Sequence, residues 1–234
     1  MAQHWRRVEG LELPTPVAGH PALELVNTFS GWDGGHASDY LASYAHVAVL
    51  SAALGLVPGD DAAHLRALAA HDTRAGERAL RDTRSLRADV RAAVLDPSDA
   101  GAVAAVSRMA SRASAVAELV PGIPPRWRVR GSGPDDLDRP LLALAWSAAE
   151  LLTDEARARA RVCPGLGCGW MFLDVSGRRR WCSMQWCGNR AKVRAHAARH
   201  RGDAPGRDLA PGRRRTMPTA NAEHPDPAVA LTPP

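Results

Sequence analysis

The chain has 234 residues, and its 30 lysines and arginines against 25 aspartates and glutamates give a formal net charge of +5. With 45% apolar and 24% charged residues, it has the composition of a soluble globular protein of one or two domains. This composition argues against wholesale disorder, a collagen-like chain and a miniprotein held together by disulfides.

The small net charge hides an uneven distribution along the chain. Between Arg157 and Arg201 there are eleven basic residues and a single acid, Asp174, so this segment carries +10. The remaining 19 basic and 24 acidic residues give the rest of the chain −5. Codon usage in a GC-rich genome explains why 29 of the 30 basic residues are arginine, but it does not explain the near absence of acids. The split predicts a polyanionic partner for one part of the chain.

The first part of the chain predicts helices with little β-structure. Leu23–Phe29 is a short apolar run that fits either a strand or a helix, and Gly31–His36 predicts a loop. Tyr40–Leu54 predicts a helix with Asp39 as its N-cap and Gly55 just beyond its end. This stretch is long and uncharged, but polar residues interrupt it. We therefore expect a buried helix of a soluble protein rather than a membrane span.

The next segments continue the helical pattern. Apolar residues at helical spacing predict one long or two shorter helices over Ala62–Leu95. A cap at Ser98 or Asp99 predicts a third helix that reaches about Leu119. Arg126–Arg130 alternates in side-chain character and predicts a short strand.

The last helix before the basic segment is the most apolar one. Leu141–Leu152 is apolar on nearly every side, so we expect a central, buried helix. We therefore expect residues 1–155 to form a mainly α (α+β) domain. At the other end of the chain, residues 202–234 are rich in proline and poor in large apolar side chains, which predicts a disordered tail.

All four cysteines lie within 25 residues and form two close pairs, with the spacing C-x4-C-x13-C-x4-C: Cys163, Cys168, Cys182 and Cys187. Two pairs separated by a loop are what a tetrahedral zinc site needs, and four protein ligands predict one structural Zn²⁺. Disulfides are an alternative, which a reducing compartment disfavours. A second alternative joins the second pair to His196 and His200, although only eight residues separate Cys187 from His196, short of the usual twelve or so.

The residues around the cysteines predict a treble-clef-like module over residues 156–201, with a zinc knuckle, a β-hairpin and a helix. The first cysteine pair forms a glycine-rich knuckle, and residues 170–174 and 180–182 predict the two strands of the hairpin. Ser183 is a suitable N-cap for a helix that reaches about His200 and carries the fourth cysteine in its first turn.

This module resembles the CGNR zinc finger, named for the run that stands here as Cys187-Gly188-Asn189-Arg190. The stretches C-P-x3-C-x3-F and W-C-S-M-x2-C-G-N-R-x-K carry the resemblance over roughly residues 160–200. The preceding region resembles the companion ABATE domain in its Asn27-Thr28 dipeptide, the helix after Asp39, Trp127 and the run LLALAWSAAELL. The resemblance implies a stress-induced bacterial transcription regulator whose finger binds DNA.

Duplex DNA is therefore the expected partner of the basic segment. Arginine pairs bidentately with guanine and asparagine with adenine, whereas loop arginines contact phosphates. The candidate DNA contacts lie in the loop before the third cysteine and on the last helix: Arg178, Arg179, Arg180, Asn189, Arg190, Lys192, Arg194 and Arg199. The alternative is a zinc-dependent RNA-binding or protein-interaction module without sequence-specific DNA binding.

Further expectations concern the N-terminal domain and the setting of the protein. A small-molecule effector is expected to contact Asn27, Thr28, Trp32 and Trp127, and a second copy of the chain, in a homodimer, is a further expected partner. No H-E-x-x-H, P-loop or G-x-S-x-G motif occurs in the sequence, so we do not expect an enzyme. The first residues lack the apolar core of a signal peptide, so we expect a bacterial cytoplasmic protein at the nucleoid.

Overall fold

The computed structural model describes residues 4–32, 34, 37–133 and 135–202. The predicted disordered tail, apart from Gly202, lies outside these residues. Seven α-helices run through the described part: α1 (Pro21–Val26), α2 (Tyr44–Ala53), α3 (Gly59–His71), α4 (Thr73–Leu95), α5 (Ala100–Ser114), α6 (Arg139–Thr153) and α7 (Asn189–Gly202). A 3-10 turn, Glu155–Arg159, follows α6.

The β-structure of the described residues consists of short antiparallel pairs. Four two-stranded sheets form: β1 (Trp5–Val8) with β2 (Leu11–Pro14), β3 (Phe29–Ser30) with β4 (Ser38–Asp39), β5 (Ala117–Val120) with β6 (Arg126–Val129), and β7 (Ala160–Val162) with β8 (Met171–Leu173). The predicted fold class, mainly α with minor β followed by a small cysteine module, is confirmed.

Helix α6 lies at the centre of the N-terminal domain, as its apolar sequence predicts. Leu144, Ala145 and Ala148 have no exposed surface, and α6 packs against α1, α2, α4 and α5. A helix that is apolar on nearly all sides is stable only where other elements cover each side. The α6 sequence therefore determines where the helical core forms.

Helix α2 begins at Tyr44 rather than at the predicted Tyr40, because Asp39 has another partner. The Asp39 carboxylate accepts hydrogen bonds from Arg87 at 2.7 and 2.8 Å, so its predicted N-cap role is wrong. Burial tends to raise the pKa of Asp39, but the hydrogen bonds and charge of Arg87 outweigh it and hold that pKa below its usual value. Gly55, with a φ of 71°, ends the helix as predicted.

The segment predicted as one or two helices forms two. Asp72 separates them and caps α4 by accepting a hydrogen bond from a backbone N–H of the first turn at 2.9 Å. Asp99 caps α5 in the same way, but α5 ends at Ser114 instead of near Leu119. Leu119 lies in β5, opposite Trp127 of the predicted strand β6. Because residues 117–120 pair with β6, α5 ends before them, although the local sequence pattern predicts that the helix continues to about Leu119.

The apolar run Leu23–Phe29 is divided between a helix and a strand. Helix α1 covers its first part, and the His20 ring accepts a capping hydrogen bond from the backbone N–H of Ala22 at 3.3 Å. Phe29 begins β3. Among the described residues, no helix is long and apolar enough to cross a membrane.

Candidate zinc centre and basic surface

The four cysteine sulfurs form one compact, buried cluster. Their Sγ atoms all lie within 4.8 Å of one another. The Sγ atom of Cys182 lies 3.7 Å from that of Cys168 and 3.6 Å from that of Cys187. A tetrahedral zinc ion with Zn–S bonds of about 2.3 Å holds its sulfurs about 3.8 Å apart. The cluster therefore fits one zinc ion with four thiolate ligands.

The two alternative arrangements of these residues do not fit. A disulfide requires sulfurs about 2.05 Å apart, and the four cysteines are free. The side chain of His196 is exposed on α7, whereas all four cysteines are buried, and the side chain of His200 lies outside the described part. A site built on the histidines would also leave Cys163 and Cys168 in the cluster without a role.

The first cysteine pair lies between two paired strands. Strand β7 leads into Cys163 and β8 follows Cys168, and the two strands pair in antiparallel register. The backbone N–H of Cys163 donates to the Trp170 carbonyl at 2.7 Å, which closes the knuckle. The predicted return strand over residues 180–182 is wrong, because β8 pairs with the strand before the knuckle instead.

The second cysteine pair is carried by the start of a helix. Ser183 has the extended backbone of an N-cap, although its side chain makes no capping hydrogen bond. The π-helical turn Met184–Gly188 then brings Cys187 into the sulfur cluster and continues as α7. A metal ion bound here therefore fixes the position from which α7 extends.

Hydrogen bonds from neighbouring groups also reach the sulfurs. Arg190 Nη2 donates to Cys187 Sγ at 3.1 Å, and the backbone N–H of Cys182 donates to Cys163 Sγ at 3.4 Å. Hydrogen bonds from the Cys168 and Cys182 thiols lower the pKa of Cys163 to about 7. The pKa of Cys182 is raised instead, by its hydrogen bonds to the other three cysteines and by burial. Four buried sulfurs do not all ionise without a cation among them, and a zinc ion supplies that charge.

Gly165 leaves space that the sulfur cluster needs. A Cβ atom at this position would lie 2.8 Å from Cys187 Sγ and 3.4 Å from Cys163 Sγ. We expect Gly165→Ala to weaken zinc binding by at least about fivefold, because overpacking by one methyl group costs about 1–3 kcal/mol. Competition with a chromophoric chelator measures this change. Gly133→Ala, whose Cβ meets nothing within 4 Å, is the control, and equal zinc affinities of the two variants would contradict the prediction.

The cysteine module shares its core with the N-terminal helices. Met171 and Leu173 of β8 belong to the same buried cluster as side chains of α1, α4 and α6. The backbone N–H of Leu173 donates to the Ala18 carbonyl at 2.8 Å, and Trp170 Nε1 donates to the Phe29 carbonyl at 3.1 Å. Strand β8 thus flanks the knuckle and also forms part of the helical core. The boundary between residues 155 and 156 stays a prediction.

Two of the predicted effector contacts, Asn27 and Thr28, are buried at this junction. Asn27 Nδ2 donates to the Met171 carbonyl at 2.9 Å, and Asn27 Oδ1 accepts from the Met171 N–H at 2.8 Å. The Thr28 hydroxyl donates to the Leu25 carbonyl at 2.6 Å and accepts from Arg87 at 3.1 Å. The polar atoms of both side chains thus join parts of the protein to each other. Their role in effector binding stays a prediction.

The other two predicted effector contacts have different surroundings. Trp32 packs so closely on Gly169 that a Cβ there would lie 2.8 Å from Trp32 Cβ. Arg91 covers the Trp32 ring at 4.7 Å and donates to the Gly169 carbonyl at 2.9 Å. Trp127 is 52% exposed and lines a cleft of about 400 Å³ with Trp146. The other three predicted contacts do not line this cleft.

The predicted DNA contacts have three kinds of surroundings. Arg179 is half-buried over the Phe172 ring, with its guanidinium 4.4 Å from the ring centre, and Arg190 donates to a cluster sulfur. Asn189 is exposed, and its Nδ2 donates to the Gln185 carbonyl at 3.1 Å. The remaining candidates are exposed basic side chains: Arg178, Arg180, Lys192, Arg194 and Arg199.

These five exposed side chains are called the basic surface below. A groove of about 530 Å³ lies between the 178–180 loop and α7, and Arg178, Arg180, Ser183 and Lys192 line it. Within the part of the chain that the structure describes, no residue of the basic surface pairs with a carboxylate. By contrast, several arginines of the N-terminal domain form ion pairs with carboxylates, and Arg87 with Asp39 is one example.

Two family models match the chain in the two regions described. The ABATE model, described as "Putative stress-induced transcription regulator", matches residues 19–155. The CGNR zinc finger model matches residues 159–200. No curated protein sequence matches the chain. The finger match and the sulfur cluster together confirm the prediction of one zinc ion.

Proposed function

The chain belongs to the ABATE family and carries a CGNR zinc finger, and on this basis we propose that it is a transcription regulator that binds duplex DNA through the finger. The observation that carries the proposal is the basic surface, whose five side chains have no carboxylate partner among the described residues. DNA phosphates supply the negative charge that the protein does not. The zinc ion, held by the four cysteines, fixes α7 relative to the loop.

The dimensions of α7 suit the major groove of B-DNA. The helix has 14 residues, which corresponds to about 21 Å, and a major groove about 12 Å wide admits an α-helix. The groove lined by Arg178, Arg180 and Lys192 receives a phosphate, which sets the register of the complex. Arg194 and Asn189 on α7 then have the side-chain chemistry to read guanine and adenine edges.

The proposal also covers the N-terminal domain, the oligomeric state and the cellular location. We propose that the N-terminal domain receives an effector signal, that the protein acts as a homodimer at the bacterial nucleoid, and that it binds rather than catalyses. A zinc-dependent RNA-binding module is the competing proposal. RNA recognition uses exposed aromatic rings for base stacking, and the burial of Trp170 and Trp186 in the finger favours duplex DNA instead.

Duplex binding is expected to depend steeply on salt. With about six phosphates neutralised, the logarithm of affinity should fall against the logarithm of salt concentration with a slope near −5. Lys192→Ala removes one cation of the basic surface, so it should reduce the magnitude of the slope by about one and weaken binding to all duplex sequences alike. Fluorescence anisotropy of a labelled duplex over a salt series measures both quantities.

Matched controls separate this proposal from general charge effects. Arg74→Ala removes an exposed arginine from α4 and should leave the slope unchanged. Competing duplex DNA, single-stranded DNA and RNA in one titration shows which nucleic acid the finger prefers. A zinc-loaded protein that does not bind duplex DNA, a flat salt response or a preference for RNA would overturn the proposal.

A further inference from the structure

The hairpin of β5 and β6 exposes large apolar side chains on the N-terminal domain. Leu119 and Trp127 lie opposite each other in the strand register, so they share one face of the hairpin. They are 58% and 52% exposed, and Ile123 in the connecting turn is fully exposed. Neighbouring large apolar side chains that are exposed together are typical of a surface that another molecule covers.

A cleft of about 400 Å³ extends this apolar surface toward α6. Its floor contains the buried side chains of Val57 and Ala143. Trp127 and Trp146 line it, with their ring centres 5.8 Å apart and their planes tilted by 54°. The indole N–H of Trp146 donates to Glu150 at 2.9 Å, which fixes both side chains at the rim. Hairpin and cleft together form one apolar patch, called the hairpin patch below.

The hairpin patch carries one charge of each sign. Arg126 and Glu150 line the cleft, and both side chains are exposed. They do not pair with each other, and Arg126 has no carboxylate partner among the described residues. The neighbouring Arg128, by contrast, is paired with Glu118 at 2.6 Å. An apolar centre with an unpaired cation and an anion at its rim is complementary to a copy of itself.

We propose that the hairpin patch is the surface through which two copies of this chain form a homodimer. In a two-fold symmetric interface the same patch of both subunits meets, so each residue is used twice. The Trp127 rings then occupy the centre, where aromatic anchors contribute most to binding. Arg126 of each copy faces Glu150 of the other. The interface itself does not depend on the proposed function. Only its purpose rests on that function, because a dimer presents two fingers to one DNA duplex.

Sedimentation velocity over a range of protein concentrations, without DNA, tests the interface. We expect the full chain to dimerise, and Trp127→Ala to weaken the dimer at least about 30-fold, as for a central aromatic anchor. Arg126→Glu and Glu150→Arg should each weaken it at least about tenfold, because each places two like-charge pairs at the rim. The double variant Arg126→Glu with Glu150→Arg restores opposite charges and should dimerise within about threefold of the unchanged chain.

The double charge reversal distinguishes loss of the dimer interface from loss of the fold. A variant that had merely lost its fold would not recover on a second charge reversal. Arg74→Glu on α4 is the matched control and should leave the dimer unchanged. A chain that stays monomeric at every concentration, or single reversals that dimerise as well as the unchanged chain, would overturn the proposal. Because no DNA is present, these results do not depend on whether the finger binds DNA.

Discussion

Cys182→Ser is expected to abolish tight zinc binding and to unfold the finger from β7 to α7. The Cys182 sulfur lies 3.7 and 3.6 Å from two other ligand sulfurs, so its loss opens the tetrahedral site on both sides. Structural zinc contributes an apparent binding free energy of about 10–16 kcal/mol in small finger peptides. The finger has only a small apolar cluster of its own, built around Trp170, Phe172 and Trp186, which does not replace that contribution.

The N-terminal helices are expected to survive this substitution with reduced stability. Helix α6 has its own buried neighbours in α1, α2, α4 and α5, so the helical core does not need the finger in order to form. Met171 and Leu173 are buried in that core, however. Their withdrawal exposes two large apolar side chains, which costs about 1.5–3 kcal/mol each.

Two measurements follow the two halves of the chain separately. Zinc content after dialysis reports the metal site, and amide hydrogen exchange reports protection in α6 and α7. Ser183→Ala is the control next to the metal ligand, because the Ser183 side chain makes no capping hydrogen bond. A Cys182→Ser protein that retains tightly bound zinc would contradict the ligand assignment. Complete loss of protection in α6 would show that finger and helices unfold as one cooperative unit.

Local sequence patterns were sufficient for the metal site and for most helices. Cysteine spacing determines which sulfurs converge, because each pair closes within a few residues. Helix α6 follows from its own apolar sequence, and Asp99, directly before α5, accepts a hydrogen bond from the N–H of Ala102 in the first turn. The basic surface was visible in part from the charge count of one segment. These features depend on neighbours along the chain, so sequence alone is informative about them.

Features that depend on distant partners were not predictable in this way. Asp39 is the expected cap by its position, but Arg87 lies 48 residues away and binds it bidentately. The strand after the knuckle pairs with β7, although residues 180–182 have a suitable local pattern. Arg91 reaches the Gly169 carbonyl over 78 residues, and no pattern in the sequence indicates that contact. Pairing choices of this kind depend on the packed core.

Arg179 and Arg190 illustrate the same limit within the basic segment. Charge counting treats all its arginines alike, because each adds one positive charge. The structure places Arg179 over the Phe172 ring, where it also donates to the Val17 carbonyl, and Arg190 against a cluster sulfur. Both side chains thus support the finger through these contacts, although Arg190 is also exposed. A DNA contact by either residue stays a prediction.

Asn27→Ala is expected to destabilise the protein strongly, although Asn27 lies outside the metal site. The Asn27 amide satisfies both the N–H and the carbonyl of Met171, at 2.8 and 2.9 Å, and it is fully buried. Removing the amide leaves two buried backbone groups without partners, at about 1–3 kcal/mol each. The free energy of unfolding should therefore fall by about 2–6 kcal/mol. Urea denaturation of the zinc-loaded protein measures it.

Asn27→Asp distinguishes hydrogen bonding from packing, because aspartate has nearly the same shape as asparagine. A carboxylate still accepts from the Met171 N–H, but it has no donor for the Met171 carbonyl and places a negative charge beside it. We expect Asn27→Asp to destabilise the protein at least as much as Asn27→Ala, with early hydrogen exchange at the Met171 amide. Asn189→Ala, which removes an exposed amide on α7, is the control. Stability near that of the unchanged protein in Asn27→Asp would mean that side-chain shape, and not the paired hydrogen bonds, joins the finger to the helical core.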